Sequence, residues 1–98
     1  MKVWVVQEND WEGTFVLAIY STEENANAAL KRLIKRRAET RRAEANRAVL
    51  NYHGIEPFTG APLDAAWVER QVRAARENAE NDLEVAECAV DAPDREEP

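Results

Sequence analysis

The sequence predicts an α+β fold. Its form is a three-stranded antiparallel sheet in the order 2-1-3, packed on a long helix, with a projecting helical hairpin (β-β-α-α-β). Three observations predict it. Residues 2–8 and 14–20 are β-branched and aromatic runs on either side of a turn. A long stretch free of Pro and Gly follows, ending at Gly54. A last apolar run, residues 83–90, comes after a second helical pattern.

The elements can be justified in order. KVWVVQE and TFVLAIY favour strand conformation, and NDWEG between them holds the Asn, Asp and Gly of a turn, which makes a hairpin. Alternation with period 2 puts Val3, Val5, Phe15, Leu17 and Ile19 on one face. It puts Trp4, Val6, Val16, Ala18 and Tyr20 on the other. Both faces are apolar, so one needs a helix and the other a further element, a second copy or a partner.

Ser21-Thr22-Glu23-Glu24 reads as a capping box, with Ser21 as the cap and Glu24 reaching back. The helix it opens is expected over residues 22–52, about 45 Å at 1.5 Å per residue, with Gly54 as its stop. Ala26, Ala29, Leu30, Leu33 and Ile34 give its first half an apolar stripe suited to the hairpin. Its second half offers only alanines between charges, until Val49, Leu50 and Tyr52. HGIEPFTGAPL is a loop, with Ile55, Phe58 and Leu63 as expected anchors. Asp64 is placed to cap a second helix over 65–81, whose stripe is Trp67 or Val68, Val72, Ala75 and Ala79. Alanine faces on both helices permit close packing as a helical hairpin. Strand one, the most apolar, is expected at the centre of the sheet. Residues 1–91 are expected to form one domain, and residues 92–98 an acidic, flexible tail.

The charge is divided along the chain. Eight of its thirteen basic residues lie within residues 31–47, opposed there only by Glu39 and Glu44, in a protein of net charge −6. No segment approaches the roughly 18 apolar residues of a membrane span, and the N-terminus lacks the features of a signal peptide. The single cysteine excludes an internal disulfide. A cytoplasmic location is the simplest expectation.

The order MKVWVV, an acidic turn, VLAIYSTEENANAAL and a closing LEVAECAVD is similar to a group of small bacterial and phage proteins. Those proteins read MKVYVV and STEEKAEEAI at the matching places and look like β-β-α-β domains. The resemblance covers residues 1–34 and 83–91, and the S-T-E-E box after a strand is its most specific part. It implies that residues 35–80 are an insertion carrying the basic run. No catalytic residue carries over from the group.

Each candidate site has a functional and a purely structural reading. Arg36, Arg37, Arg41, Arg42 and Arg47 could meet phosphate or an acidic protein surface. Alternatively they are neutralised by the chain's own Glu69, Glu77, Glu80 and Glu84. The acidic stretch 77–97 could mimic a polyanion or serve as a solubilising tail. Trp11, between Asp10 and Glu12, is an interface anchor or folds over Trp4 or Tyr20. Trp4, Val6, Val16 and Tyr20 form a candidate homodimer face. His53 suits the end of the first helix, and Cys88 reads as a buried small hydrophobe. No catalytic motif, cofactor site or metal site is recognised, and one His leaves few catalytic options. The expectation is a non-enzymatic protein-binding module, in the manner of a phage-encoded inhibitor of a host or antiviral-defence complex. The alternative is a nucleic-acid-binding accessory protein using residues 31–47, although an acidic chain argues against it.

Overall fold

The computed structural model describes residues 1–90 of the chain. It has an α+β fold with element order β1 (Lys2–Asp10), β2 (Gly13–Tyr20), α1 (Glu23–Asn51), α2 (Ala65–Asp82) and β3 (Leu83–Ala89). The strands form one antiparallel sheet in the order β2-β1-β3. The acidic tail, residues 92–98, lies outside the described residues.

The chain resolves into two compact units. One comprises Met1–Arg32 with the chain from Asp82 onward, and the other is Leu33–Asn81. By composition the first carries net charge −8, and the second, with nine basic against seven acidic residues, carries +2.

In the sheet unit, β1 pairs along its whole length with β3, from Lys2↔Ala89 to Glu8↔Leu83. Val5 and Val6 are both buried although they point to opposite faces, so the centre of β1 is covered on both sides. Glu84 on β3 accepts hydrogen bonds from the Gln7 and Asn9 side-chain amides at 2.7 and 2.5 Å. These bonds, Asn9 first, hold its carboxyl below the usual range. On the opposite face Lys2 meets Glu87 at 3.1 Å.

The hairpin differs from the alternation expected of it. A register shift between Val6 and Gln7 pairs Gln7 with Val16 and Glu8 with Phe15, leaving Leu17 as the bulged residue. One extra residue in β2 exchanges the faces of everything before it. Phe15 therefore lies with Trp4, Val6, Ala18 and Tyr20, whereas Val16 lies with Val5 and Ile19.

The hairpin turn is also tighter than five residues. Asp10 pairs with Gly13, leaving only Trp11 and Glu12 as the loop. The Asp10 carboxylate accepts the Glu12 and Gly13 amides at 2.8 and 3.2 Å. Neither Trp11 nor Glu12 has a positive φ, and Gly13, at φ 140°, takes up the twist that primed turns otherwise provide.

Helix α1 starts one residue later than its capping box predicts. Thr22, not Ser21, is the cap, since its Oγ1 accepts the Asn25 amide at 3.2 Å. Glu24 therefore sits at the second helical position rather than the third. Glu23 and Glu24 remain in the first turn, where the helix dipole favours acids. Ala26 is fully buried within the sheet unit.

At the other end, Gly54 N–H donates to the Val49 carbonyl at 2.9 Å and His53 N–H to the Leu50 carbonyl at 3.4 Å. This is a Schellman cap. Its first left-handed residue is His53, at φ 53°, and Gly54 after it is left-handed as well, at φ 78°.

In the helical unit, the distal half of α1 packs on α2 through Ala38, Ala45, Val68 and Val72, with Val49 and Trp67 alongside. Ala38 and Ala45 are seven residues apart, two helical turns on one face, and are 1% and 0% exposed. Small side chains there let the helices approach closely. The run is antiparallel: Arg41 and Arg42 reach Gln71 and Glu69, while Asn46 and Val49 share a shallow groove with Asp64 and Ala65. The Asp64 Oδ1 accepts the Trp67 amide at 2.9 Å and caps α2 as expected.

Candidate functional site

The basic run divides into tied and untied arginines. Arg42 forms a two-pronged pair with Glu69, a contact the sequence anticipated, with Nη2 to Oε1 at 3.3 Å. The pairing holds the Glu69 carboxyl below its ordinary range and raises the Arg42 guanidinium. Arg41 donates to the Gln71 Oε1 at 2.7 Å and pairs with Glu44 at 3.3 Å. These two arginines hold α2 against α1. Arg36 and Arg47 are exposed and form no ion pair among the described residues. Arg37 is partly buried and partnered. Glu84, offered as another neutralising acid, instead binds Gln7 and Asn9.

Trp11 is 92% exposed at the tip of the hairpin. Exposed to this degree on a two-residue loop held by Asp10, it does not fold over Trp4 or Tyr20. The candidate dimer face is redistributed. Trp4, Val6 and Tyr20 do share a face, but Val6 is buried and Trp4 and Tyr20 are half-buried. The bulge moves Val16 to the face of Ile19, where both are largely exposed. Cys88, expected to be buried, is exposed opposite Val3.

The loop joining α1 and α2 carries residues that pattern reading assigned to the core. Leu63 is buried, as an anchor should be, but Ile55 is exposed and Phe58 is 95% exposed. Leu50 and Tyr52, at the end of α1, are exposed as well. The loop is nonetheless ordered. Ile55 and Pro62 form a bridge at its base, and Leu63 N–H donates to the Gly54 carbonyl at 2.8 Å. Inside it, Glu56 Oε2 accepts the Phe58 amide at 3.1 Å, the Thr59 amide at 2.6 Å and the Thr59 hydroxyl at 2.7 Å. The Thr59 hydroxyl, first, and these amides hold the Glu56 carboxyl below its ordinary range. The only signal in the sequence was the spacing of Glu56 and Thr59 around Pro57, which permits a carboxylate to cap its own turn.

Among the described residues, no three His, Cys, Asp or Glu are grouped to hold a metal ion, and no helix is long and apolar enough to cross a membrane. Comparison with known proteins finds no match to this chain among family profiles, curated proteins or solved structures.

Proposed function

We propose that this chain is a small protein-binding module that works by contact rather than by chemistry. The observation that carries this reading is Trp11. A large aromatic side chain stands in solvent on a turn that a carboxylate holds fixed. Folding gains nothing from exposing it, whereas association does: tryptophan is enriched among the residues that dominate binding energy, and a fixed turn lowers the entropy lost on docking. The role that fits is an inhibitor that occupies a host or antiviral-defence complex. That finer assignment draws its support from the resemblance of residues 1–34 and 83–91 to small phage and bacterial proteins.

The test is capture from a lysate of the source cell by the immobilised full chain, with Trp11→Ala in parallel. The expected result is a protein retained by the native chain and lost, or weakened about thirtyfold, with the variant. Retention that ignores the substitution contradicts the reading.

A nucleic-acid-binding role is the second reading, and the exposed Arg36 and Arg47 in a unit of net charge +2 favour it. It predicts a gel shift with a steep salt dependence that Arg36→Glu and Arg47→Glu together remove. Arg41 and Arg42 are poor probes of this, since they bind α2.

A further inference from the structure

We infer that the outer edge of β2 takes up an extended segment of a partner protein as a fourth strand. The segment it fits is apolar in the middle and basic at both ends. The inference rests on the protein-binding reading and adds to it a binding mode and a partner chemistry.

The backbone supplies the first argument. β2 pairs with β1 alone, so one side of it carries unpaired N–H and C=O groups. No backbone group outside β1 bonds residues 14–20 among the described residues. Natural edges are commonly guarded by charges, Pro or bulges. β3, the other edge, carries the exposed Glu84 and Glu87. β2, GTFVLAIY, has no charge and no Pro in eight residues. Its bulge at Leu17 is its one guard, and the ladder to β1 is regular on either side of it. Both faces of β2 add apolar surface. Phe15 is half exposed on one, and Val16 and Ile19 are more than half exposed on the other. An added strand satisfies the backbone and covers these side chains together. Trp11 stands at the tip of the same hairpin, so the contact proposed for it is continuous with this edge.

Charge selects the occupant. Asp10 and Glu12 stand at one end of β2, and Glu23 and Glu24 follow the other. All four are exposed, and none has an ion pair among the described residues. Asp10 keeps its charge while it accepts the turn amides. Glu23 and Glu24 together exceed the half charge of a helix N-terminus. Of the described cations in this unit, Lys2 is held by Glu87. Lys31 and Arg32 lie two turns beyond Glu24 on α1, about 10 Å along the axis. A neutral apolar edge between two acidic ends is complemented by an apolar segment between two basic ends. A second copy of this chain is a poor occupant in either direction. Antiparallel pairing of β2 with its copy sets the Asp10 and Glu12 end against the Glu23 and Glu24 end. Parallel pairing sets each acidic end against itself. Nucleic acid would bring its phosphates against the same acids.

The experiment places p-benzoylphenylalanine at position 15 of the full chain and, separately, at position 11, and irradiates the source cells. Circular dichroism checks each fold, which an exposed site should leave intact. The expected result is a protein adduct at position 15, mapped by mass spectrometry to an apolar segment flanked by Lys or Arg. A synthetic peptide of that segment, added to the purified chain, should slow hydrogen exchange of alternate amides in residues 14–20 by about tenfold or more. Glu12→Gln, Glu23→Gln and Glu24→Gln together should weaken peptide binding about tenfold. An adduct with another copy of the chain, with nucleic acid, or with a segment lacking basic flanks overturns the inference. So does a peptide that binds without slowing those amides. Protein adducts at position 11 but none at position 15 overturn it while leaving the protein-binding reading standing. No protein adduct at either position overturns both.

Discussion

Thr59 donates twice to the Glu56 carboxylate, through its amide at 2.6 Å and its hydroxyl at 2.7 Å. Each bond favours the ionised carboxyl, so the group should titrate below 4.5, the ordinary value of a glutamate. The sign follows from linkage. A carboxyl whose pKa is depressed by folding stabilises the loop above its unfolded pKa, and that contribution disappears as pH falls through the folded pKa. Carbon-detected NMR titration of Glu56 should give a midpoint below 4.5 in the native chain, moving up toward the ordinary value in Thr59→Val. Protection of the Phe58 and Thr59 amides from hydrogen exchange should be lost over the same acid range. A native-chain midpoint at or above 4.5 contradicts the latch.

The start of α1 offers a test between neighbouring residues. Thr22 accepts the Asn25 amide, whereas no cap bond is made by Ser21. Thr22→Ala should cost about 1 kcal/mol in urea denaturation, within the range for lost caps. Ser21→Ala should lie within about 0.5 kcal/mol of the native chain. The reverse order would restore the Ser21 capping box.

What could be read from the sequence was what depends on local pattern. Strand and helix placement, the sheet order and the Asp64 cap came from periodicity, turn residues and chain return, and they hold in the structure. Three features were not legible, each because it depends on pairing or on burial by distant residues. The bulge at Leu17 is a matter of register with β1, so simple alternation put Phe15 and Val16 on the wrong faces. The capping residue is decided by which hydroxyl reaches an amide, and Thr22 is as apt as Ser21. Phe58 was read as an anchor because it is apolar, yet Leu63 alone fills that role. Of the candidate site, the Arg42–Glu69 pair was foreseeable from opposite charges on two helices expected to pair. The division between tied Arg41 and untied Arg36 required knowing which face of α1 meets α2.

The end of α1 holds a residue in a conformation it does not favour. His53 adopts φ 53° as the first of two left-handed residues in the Schellman cap, the second being Gly54. Left-handed backbone costs a non-glycine residue about 1–2 kcal/mol. His53→Gly should therefore raise stability by about 1 kcal/mol, less the greater entropy of glycine in the unfolded chain. His53→Val should lower it, since a β-branched side chain tolerates this region worst. In denaturant titrations both changes should appear as shifts of the midpoint with an unchanged slope.

The closest part of the helical pairing is predicted to be the least tolerant of size. Ala45 is fully enclosed between α1 and α2, and Ala43, two positions earlier on the same helix, is exposed. Leucine favours helix almost as well as alanine, so helix propensity contributes little to either substitution. Ala45→Leu must push α2 away from α1 and should cost about 1–3 kcal/mol. It should also lengthen the Arg42–Glu69 pairing, so the Glu69 carboxyl should titrate closer to its ordinary range. Ala43→Leu should change stability by no more than about 0.5 kcal/mol and leave Glu69 where it was. Urea denaturation and NMR titration of Glu69 read both effects. Equal costs at the two positions would mean that α2 does not pack on the Ala38–Ala45 face.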